Sequence, residues 1–251
     1  LILWQRDLNK MANYNFVGKT DRGLKRKNNE DAILVNEQNG FGLVADGIGG
    51  SMGGDVASRI FADTARTVFA EAFALNEPTY TTIQRVFLNA NESILDYAGS
   101  HPGCEGMGCT AELFAIEANR YVLGHIGDSR TYRMRNNELK QLTKDHSLVQ
   151  EQLDQNLIKP EDISNHALKN VILRAVGIKK NPTVDIIRGN LFAGDIFLLC
   201  SDGLSDLVDL EIMKQHLLST LPLKQKADLL IQEANARGGK DNISVVLVQI
   251  S

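Results

Sequence analysis

Six acidic residues stand at the ends of apolar runs in this 251-residue chain. Asp46 closes the run 41–45 and precedes Gly47, and Asp202 ends the run 196–201 and precedes Gly203. Asp128 follows residues 121–127, and Asp241 stands in Gly239-Lys240-Asp241-Asn242, just ahead of the last apolar run. Glu30 and Asp31 come immediately before residues 32–36. Taken singly, each reads as a turn or a cap, because Asp-Gly after a strand and Asp ahead of an element are common devices. Six in one chain ask for more. If those ends meet on one side of the fold the carboxylates converge, and two unit charges ~4 Å apart repel by roughly 4 kcal/mol at an effective dielectric of about 20. Divalent cations would make such a cluster tolerable. All-oxygen donors, without cysteine or clustered histidine, select Mg²⁺ or Mn²⁺ over Zn²⁺.

Other chemistry-bearing patterns fail on inspection. Gly18-Lys19-Thr20 ends like a phosphate-binding P-loop, but the required first glycine falls on Asn13. No cysteine has an arginine six residues on, so the thiolate loop of cysteine-dependent phosphatases is absent, and Cys200 reads as a small core residue. Gly49-Gly50-Ser51-Met52-Gly53 matches the Gly-x-Ser-x-Gly nucleophile elbow ahead of a helical pattern. That serine-hydrolase alternative would use Ser51, yet the apolar run stops at Asp46, too early for a serine at the strand's tip. Its only late histidine, His216, falls inside a helical pattern.

The elements that must position the acids follow from periodicity. Residues 32–36 and 41–45, joined by Glu37-Gln38-Asn39-Gly40, read as a hairpin. Val56, Ile60, Phe61, Val68, Phe69 and Phe73 form one helical stripe, and Ile83, Val86, Phe87, Ala90, Ile94 and Leu95 another. Strands are expected at 110–116, 121–126, 131–135, 184–188, 196–200 and 243–250, with short helices and loops across 143–170. Two helices should precede the last strand, the second carrying Ala227, Leu230, Ile231 and Ala234 and stopping at Gly238-Gly239. Strands and helices come in blocks without βα alternation, which predicts an α+β fold of antiparallel sheets covered by helices. Residues 1–12 read as an N-terminal extension and 13–251 as one domain.

Composition narrows the classes further. With 43% hydrophobic and 23% charged residues the chain has globular averages. Lys+Arg 27 against Asp+Glu 31 gives a net charge of −4, without the basic balance or stripe of a nucleic-acid binder. No run approaches the ~18 apolar residues of a membrane span, and no secretory pattern opens the chain. Three cysteines are too few and odd in number for a disulfide framework, so a cytoplasmic setting is expected.

At these residues the chain resembles the protein phosphatase 2C family, the metal-dependent Ser/Thr phosphatases, and especially its compact bacterial members. The likeness runs in order over residues 14–250. It starts with Thr20-Asp21-Arg22-Gly23, Arg26, Asn29-Glu30-Asp31-Ala32 and Val44-Ala45-Asp46-Gly47-Ile48-Gly49-Gly50. It continues through Gly108-Cys109-Thr110-Ala111, Gly127-Asp128-Ser129-Arg130, Leu142-Thr143-Lys144-Asp145-His146 and Leu173-Arg174-Ala175-Val176-Gly177. Cys200-Ser201-Asp202-Gly203-Leu204 and Gly239-Lys240-Asp241-Asn242-Ile243-Ser244 complete it.

The resemblance implies a four-layer αββα sandwich, two mostly antiparallel sheets flanked by helix pairs. It implies two core Mn²⁺ or Mg²⁺ ions: Asp46 would bridge them, the Gly47 carbonyl and Glu30 would lie on one side, and Asp202 and Asp241 would hold the other. Asp128 would share a weaker third ion with Asp202, and Arg26 would grip the substrate phosphate, its planar fork suited to two oxygens. A hydroxide bridging the two ions would attack phosphorus directly, since bound water has its pKa lowered toward neutrality. The implied partners are phosphoproteins, substrates of a Ser/Thr kinase. Departures from the family pattern are Ile48 and Ser51, where histidine is frequent, and Cys109, where threonine is usual; Ile48 leaves the proton donor unassigned. His146 and His166 read as solvated loop residues. A non-catalytic phosphopeptide-sensing module of the same fold is the remaining alternative, although it would be expected to lack some of these acids.

Overall fold

A computed structural model describes residues 13–49 and 53–251. In chain order, strands β1 (Tyr14–Asp21), β2 (Ala32–Asn36), β3 (Phe41–Ala45) and the two-residue β4 (Gly47–Ile48) precede helices α1 (Gly54–Leu75) and α2 (Thr79–Ser100). Then come β5 (Gly108–Cys109), β6 (Ala111–Glu117), β7 (Arg120–Ile126), β8 (Arg130–Arg135), β9 (Glu138–Gln141) and α3 (Leu148–Asp154). A 3₁₀ turn (Pro160–Asn165), β10 (Asp185–Asn190), β11 (Ile196–Cys200), α4 (Asp202–Ser205), α5 (Leu210–Leu218), α6 (Leu223–Ala236) and β12 (Ile243–Ile250) close the chain.

Local chemistry sets the turns. Between β2 and β3 the Asn36 side chain accepts the Asn39 N–H at 3.0 Å, and Gly40 takes a φ of +65° that a side chain would resist. α1 stops at Asn76, which adopts the left-handed conformation and returns its N–H to the last turn. The apolar stripe of α1 buries Ala57, Phe61, Ala65 and Val68, and that of α2 buries Ile83, Val86, Phe87 and Ala90. Phe61 meets Phe87 edge-on at 5.0 Å, while Phe69 stacks on Phe41 of the sheet beneath at 3.9 Å.

All strand pairs are antiparallel. One sheet has the order β10-β7-β6-β3-β2 and the other β1-β12-β11-β8-β9, with β4 and β5 forming a small separate pair. The two sheets face each other across Phe16, Val44, Phe114, Phe197, Leu199 and Val246. α1 and α2 cover the outer face of the first, and α4, α5 and α6 that of the second. The result is the expected four-layer α+β sandwich.

Some details differ from expectation. β1, β9 and the two-residue β4 and β5 are strands that the sequence did not announce. β1 lies at a sheet edge with only Phe16 buried, so its apolar signal is thin. Ahead of β12 there are three helical segments rather than two, because the four-residue α4 starts at Asp202 itself.

Candidate active site at the shared end of two sheets

The turns that leave the two sheets at one end converge on a cavity of about 420 Å³. Asp46 and Gly47 reach it from the β3–β4 corner, Asp128 from the β7–β8 turn, Asp202 from the start of α4, and Asp241 from the turn into β12. Arg26 and Glu30 come from the loop between β1 and β2. The seven residues to which the resemblance gave metal or phosphate roles therefore line one space. Ile48 lies on its wall, and Asn170 and Ile172 close another side.

Backbone contacts fix these corners. A Cβ on Gly47 would lie 2.2 Å from the Gly54 carbonyl oxygen, and one on Gly203 would lie 1.9 Å from that of Asn242, so neither corner has room for a side chain. The Asp46 N–H donates to Thr110 Oγ1 at 3.1 Å and its carbonyl accepts the Thr110 N–H at 2.9 Å. Thr110 Oγ1 in turn meets Ser129 Oγ at 2.7 Å, tying the corner of Asp46 to the residue after Asp128. Asn242 orders the opposite side: its Oδ1 accepts the Glu30 N–H at 2.8 Å, and its amide donates to the Arg22 and Asn28 carbonyls, both at 2.9 Å.

The electrostatics are those of crowded like charges. Burial, then the charges of Asp31, Asp202 and Asp128, raises the pKa of Asp46 well above the carboxylate range. Burial, Asp128 and Asp241 do the same to Asp202. Asp128 is pushed up to about 7 by burial and by Asp145, and burial raises Glu30 although Arg26 opposes it. Arg26 Nη2 donates to Asp241 Oδ2 at 2.6 Å, a half-exposed pair of the kind that contributes little and opens readily.

This donor set fits divalent cations. Asp202 Oδ1 is buried without a hydrogen-bond partner, as is Asp31 Oδ1, and neutralising cations would relieve both the orphaned oxygens and the mutual repulsion. Among the described residues, no three His, Cys, Asp or Glu side chains are drawn together as a ready cage. The carboxylates ring the cavity instead, which suits a hydrated Mg²⁺-type ion that keeps several waters.

Some contributors were given no role in the sequence reading. Asp31, one of the six acids, receives the Ser201 hydroxyl at 2.8 Å and is raised to about 6 by burial, although no ligand role was assigned to it. Asn170 ends a stretch without period and Ile172 lies just beyond it, and neither gave a signal. His146, expected to be solvated, is 9% exposed, its ring stacked on His125 at 4.6 Å. His166 remains partly exposed in its loop. Ser51 lies outside the described residues. His216, which a serine hydrolase would need, sits on α5 beside Glu233 at 3.7 Å and does not line the cavity.

Known proteins resemble this chain over most of its length. The family model for protein phosphatase 2C matches residues 23–238. The serine/threonine phosphatase stp of Listeria monocytogenes is 39% identical over 236 residues, 92% of this chain and 94% of the relative. The crystal structure of the Mycobacterium tuberculosis serine/threonine phosphatase PstP/Ppp superposes with a TM-score of 0.87 at 33% identity, covering 95% of this chain and 99% of the other. A structure of the PstP catalytic domain in complex with two manganese ions gives 0.84 at 33% identity, covering 96% and 99%.

Proposed function

The chain belongs to the protein phosphatase 2C family and is a metal-dependent serine/threonine protein phosphatase acting on phosphoproteins; from that premise we propose how its own residues carry the reaction. Residues 13–251 form the catalytic domain. Asp46, Asp202, Asp241, the Gly47 carbonyl and Glu30 would hold two Mn²⁺ or Mg²⁺ ions, and Asp128 with Asp202 would offer a weaker third position. The ions, when bound, neutralise the carboxylates and the incoming phosphate and lower the pKa of coordinated water.

Arg26 gives up Asp241 and turns its planar fork onto two phosphate oxygens, exchanging one charge-assisted bond for others of the same kind. This holds phosphorus in line with the attacking water, where positioning supplies much of the catalysis. Ile48 offers no proton, so the departing serine or threonine oxygen takes one from water on the Asp128 side. Asn170 and Ile172 line the remaining side. The substrates are proteins phosphorylated by a Ser/Thr kinase, met in the cytoplasm; among the described residues no helix is long and apolar enough to cross a membrane.

The observation carrying this reading is the convergence of Asp46, Asp128, Asp202 and Asp241 on one cavity beside Arg26. Hydrolysis of a phosphopeptide and an aryl phosphate tests it. Activity should require Mn²⁺ or Mg²⁺, vanish in EDTA and ignore fluorophosphonates. Full turnover after exhaustive chelation, or loss of turnover on fluorophosphonate treatment, would overturn it.

A further inference from the structure

Behind the Asp128 turn lies a buried pair of histidines that the reaction does not use directly. His125 on β7 is completely buried against Glu112 of β6, which also receives the Thr131 hydroxyl, and its other ring nitrogen meets the Lys144 carbonyl at 2.8 Å. Burial works against a charge on His125, but Glu112 and the Lys144 carbonyl outweigh it and push its pKa up to about 9. His146 stacks on that ring, and burial together with the neighbouring charge pushes it down to about 4, so it is neutral. A neutral imidazole has one bare nitrogen able to accept.

The acceptor is Nδ1, and it takes the N–H of Gly127 at 3.1 Å. The His146 backbone N–H donates to the Gly127 carbonyl at 2.7 Å, so one residue satisfies both polar groups of that glycine. Gly127 holds a φ of +112° and passes so close to Thr110 that a Cβ would lie 2.5 Å from the threonine Cβ. Its conformation is therefore held from outside, and the next residue is Asp128. On its other side His146 continues into the cavity wall. Its carbonyl accepts the Leu173 N–H at 2.7 Å, Leu148 N–H reaches the Val171 carbonyl at 2.8 Å, and Ser147 bridges to Ile172.

From this geometry we infer that His146 is a positioning residue: its Nδ1 sets the Gly127–Asp128 turn and couples the Asp128 carboxylate to the wall carrying Asn170 and Ile172. The inference rests on Asp128 serving as a metal ligand. It goes beyond that assignment by naming the side chain that aims the carboxylate. His146 itself touches neither substrate nor ion.

The test uses three substitutions at one position, with Asp128→Ala beside them, each measured by Mn²⁺ calorimetry, a melting curve and aryl-phosphate kinetics across Mn²⁺ concentration. Asparagine can place its amide oxygen where Nδ1 was, glutamine reaches the Nε2 position instead, and leucine has no acceptor. Expected for His146→Leu is about fivefold weaker binding in the weakest Mn²⁺ event, the worth of one neutral hydrogen bond, with a matching rise in the Mn²⁺ needed for half-maximal turnover. The KM for substrate should stay near wild type. His146→Asn should restore both to within about twofold, and His146→Gln should resemble leucine. Wild-type Mn²⁺ dependence in His146→Leu, with Asp128→Ala impaired, would overturn the inference while leaving the metal assignment standing. Unchanged Mn²⁺ binding and turnover in Asp128→Ala would remove both. Equal impairment of the asparagine and glutamine variants per folded molecule would reduce His146 to packing. That comparison remains decisive if the leucine variant does not fold.

Discussion

Arg26 and Asp241 illustrate how single residues divide labour in the cavity. Each is the other's partner at 2.6 Å, yet one is assigned to phosphate and the other to metal. Removing the guanidinium should therefore act on substrate and leave the ions bound. Arg26→Ala is expected to raise KM for an aryl phosphate by about tenfold, the worth of a charge-assisted bond in a partly solvated site, with unchanged Mn²⁺ calorimetry. A wild-type KM would return Arg26 to the solvated basic run Lys25-Arg26-Lys27. Asp128 should behave in the opposite way. Asp128→Ala is expected to keep the two tighter Mn²⁺ events and to lower kcat by about tenfold or more, at least ~1.4 kcal/mol of transition-state stabilisation. If Asp128 only capped the turn into Ser129, the variant would melt earlier while keeping full activity per folded molecule.

At the scale of elements, the site depends on how closely the corners pass one another. Gly203, the second residue of α4, lies under the Asn242 carbonyl, and this contact brings Asp202 alongside Asp241. Gly203→Ala forces those backbones apart, so stability should fall by about 1–3 kcal/mol, as overpacking does, with Mn²⁺ affinity falling in the same variant. Phe87→Ala, in the helix layer, should destabilise by about 3–5 kcal/mol and leave Mn²⁺ affinity per folded molecule unchanged. Denaturant melts paired with calorimetry separate the two. The corners were legible in the sequence because each acid stands where an apolar period stops: Asp46 after β3, Asp202 after β11, Asp241 ahead of β12. The wall of the cavity was not. Residues 143–170 have no period, and His146 acquires its role from Gly127, nineteen residues earlier in the chain and reached only through the fold. β1 was hidden for a related reason: as a half-exposed edge strand it lacks a continuous apolar face.

At the scale of the whole molecule, the cavity lies where the two sheets end together. Asp46 follows β3 of one sheet, Asp202 and Asp241 flank β11 and β12 of the other, and Glu30 sits in the loop joining β1 to β2 across them. Ions held by these groups would fasten one sheet to the other and cancel the repulsion that raises Asp46 and Asp202. Binding to the folded state alone stabilises by mass action, about 2.7 kcal/mol per site when free ion is at 100 times Kd. For a domain of this size each kcal/mol moves Tm by about 2–4 °C, so saturating Mn²⁺ should raise Tm by about 5–10 °C per site, reversibly with EDTA. Asp46→Asn should lose most of that rise, because the carboxylate proposed to serve both ions would be replaced by a neutral amide. Phe87→Ala should start from a lower Tm and keep the rise, since its defect lies in the helix layer. An Asp46→Asn protein with the full Mn²⁺ shift would show that the sheets are not joined through this carboxylate, and would leave Asp46 as the turn residue that its Asp-Gly sequence alone suggests.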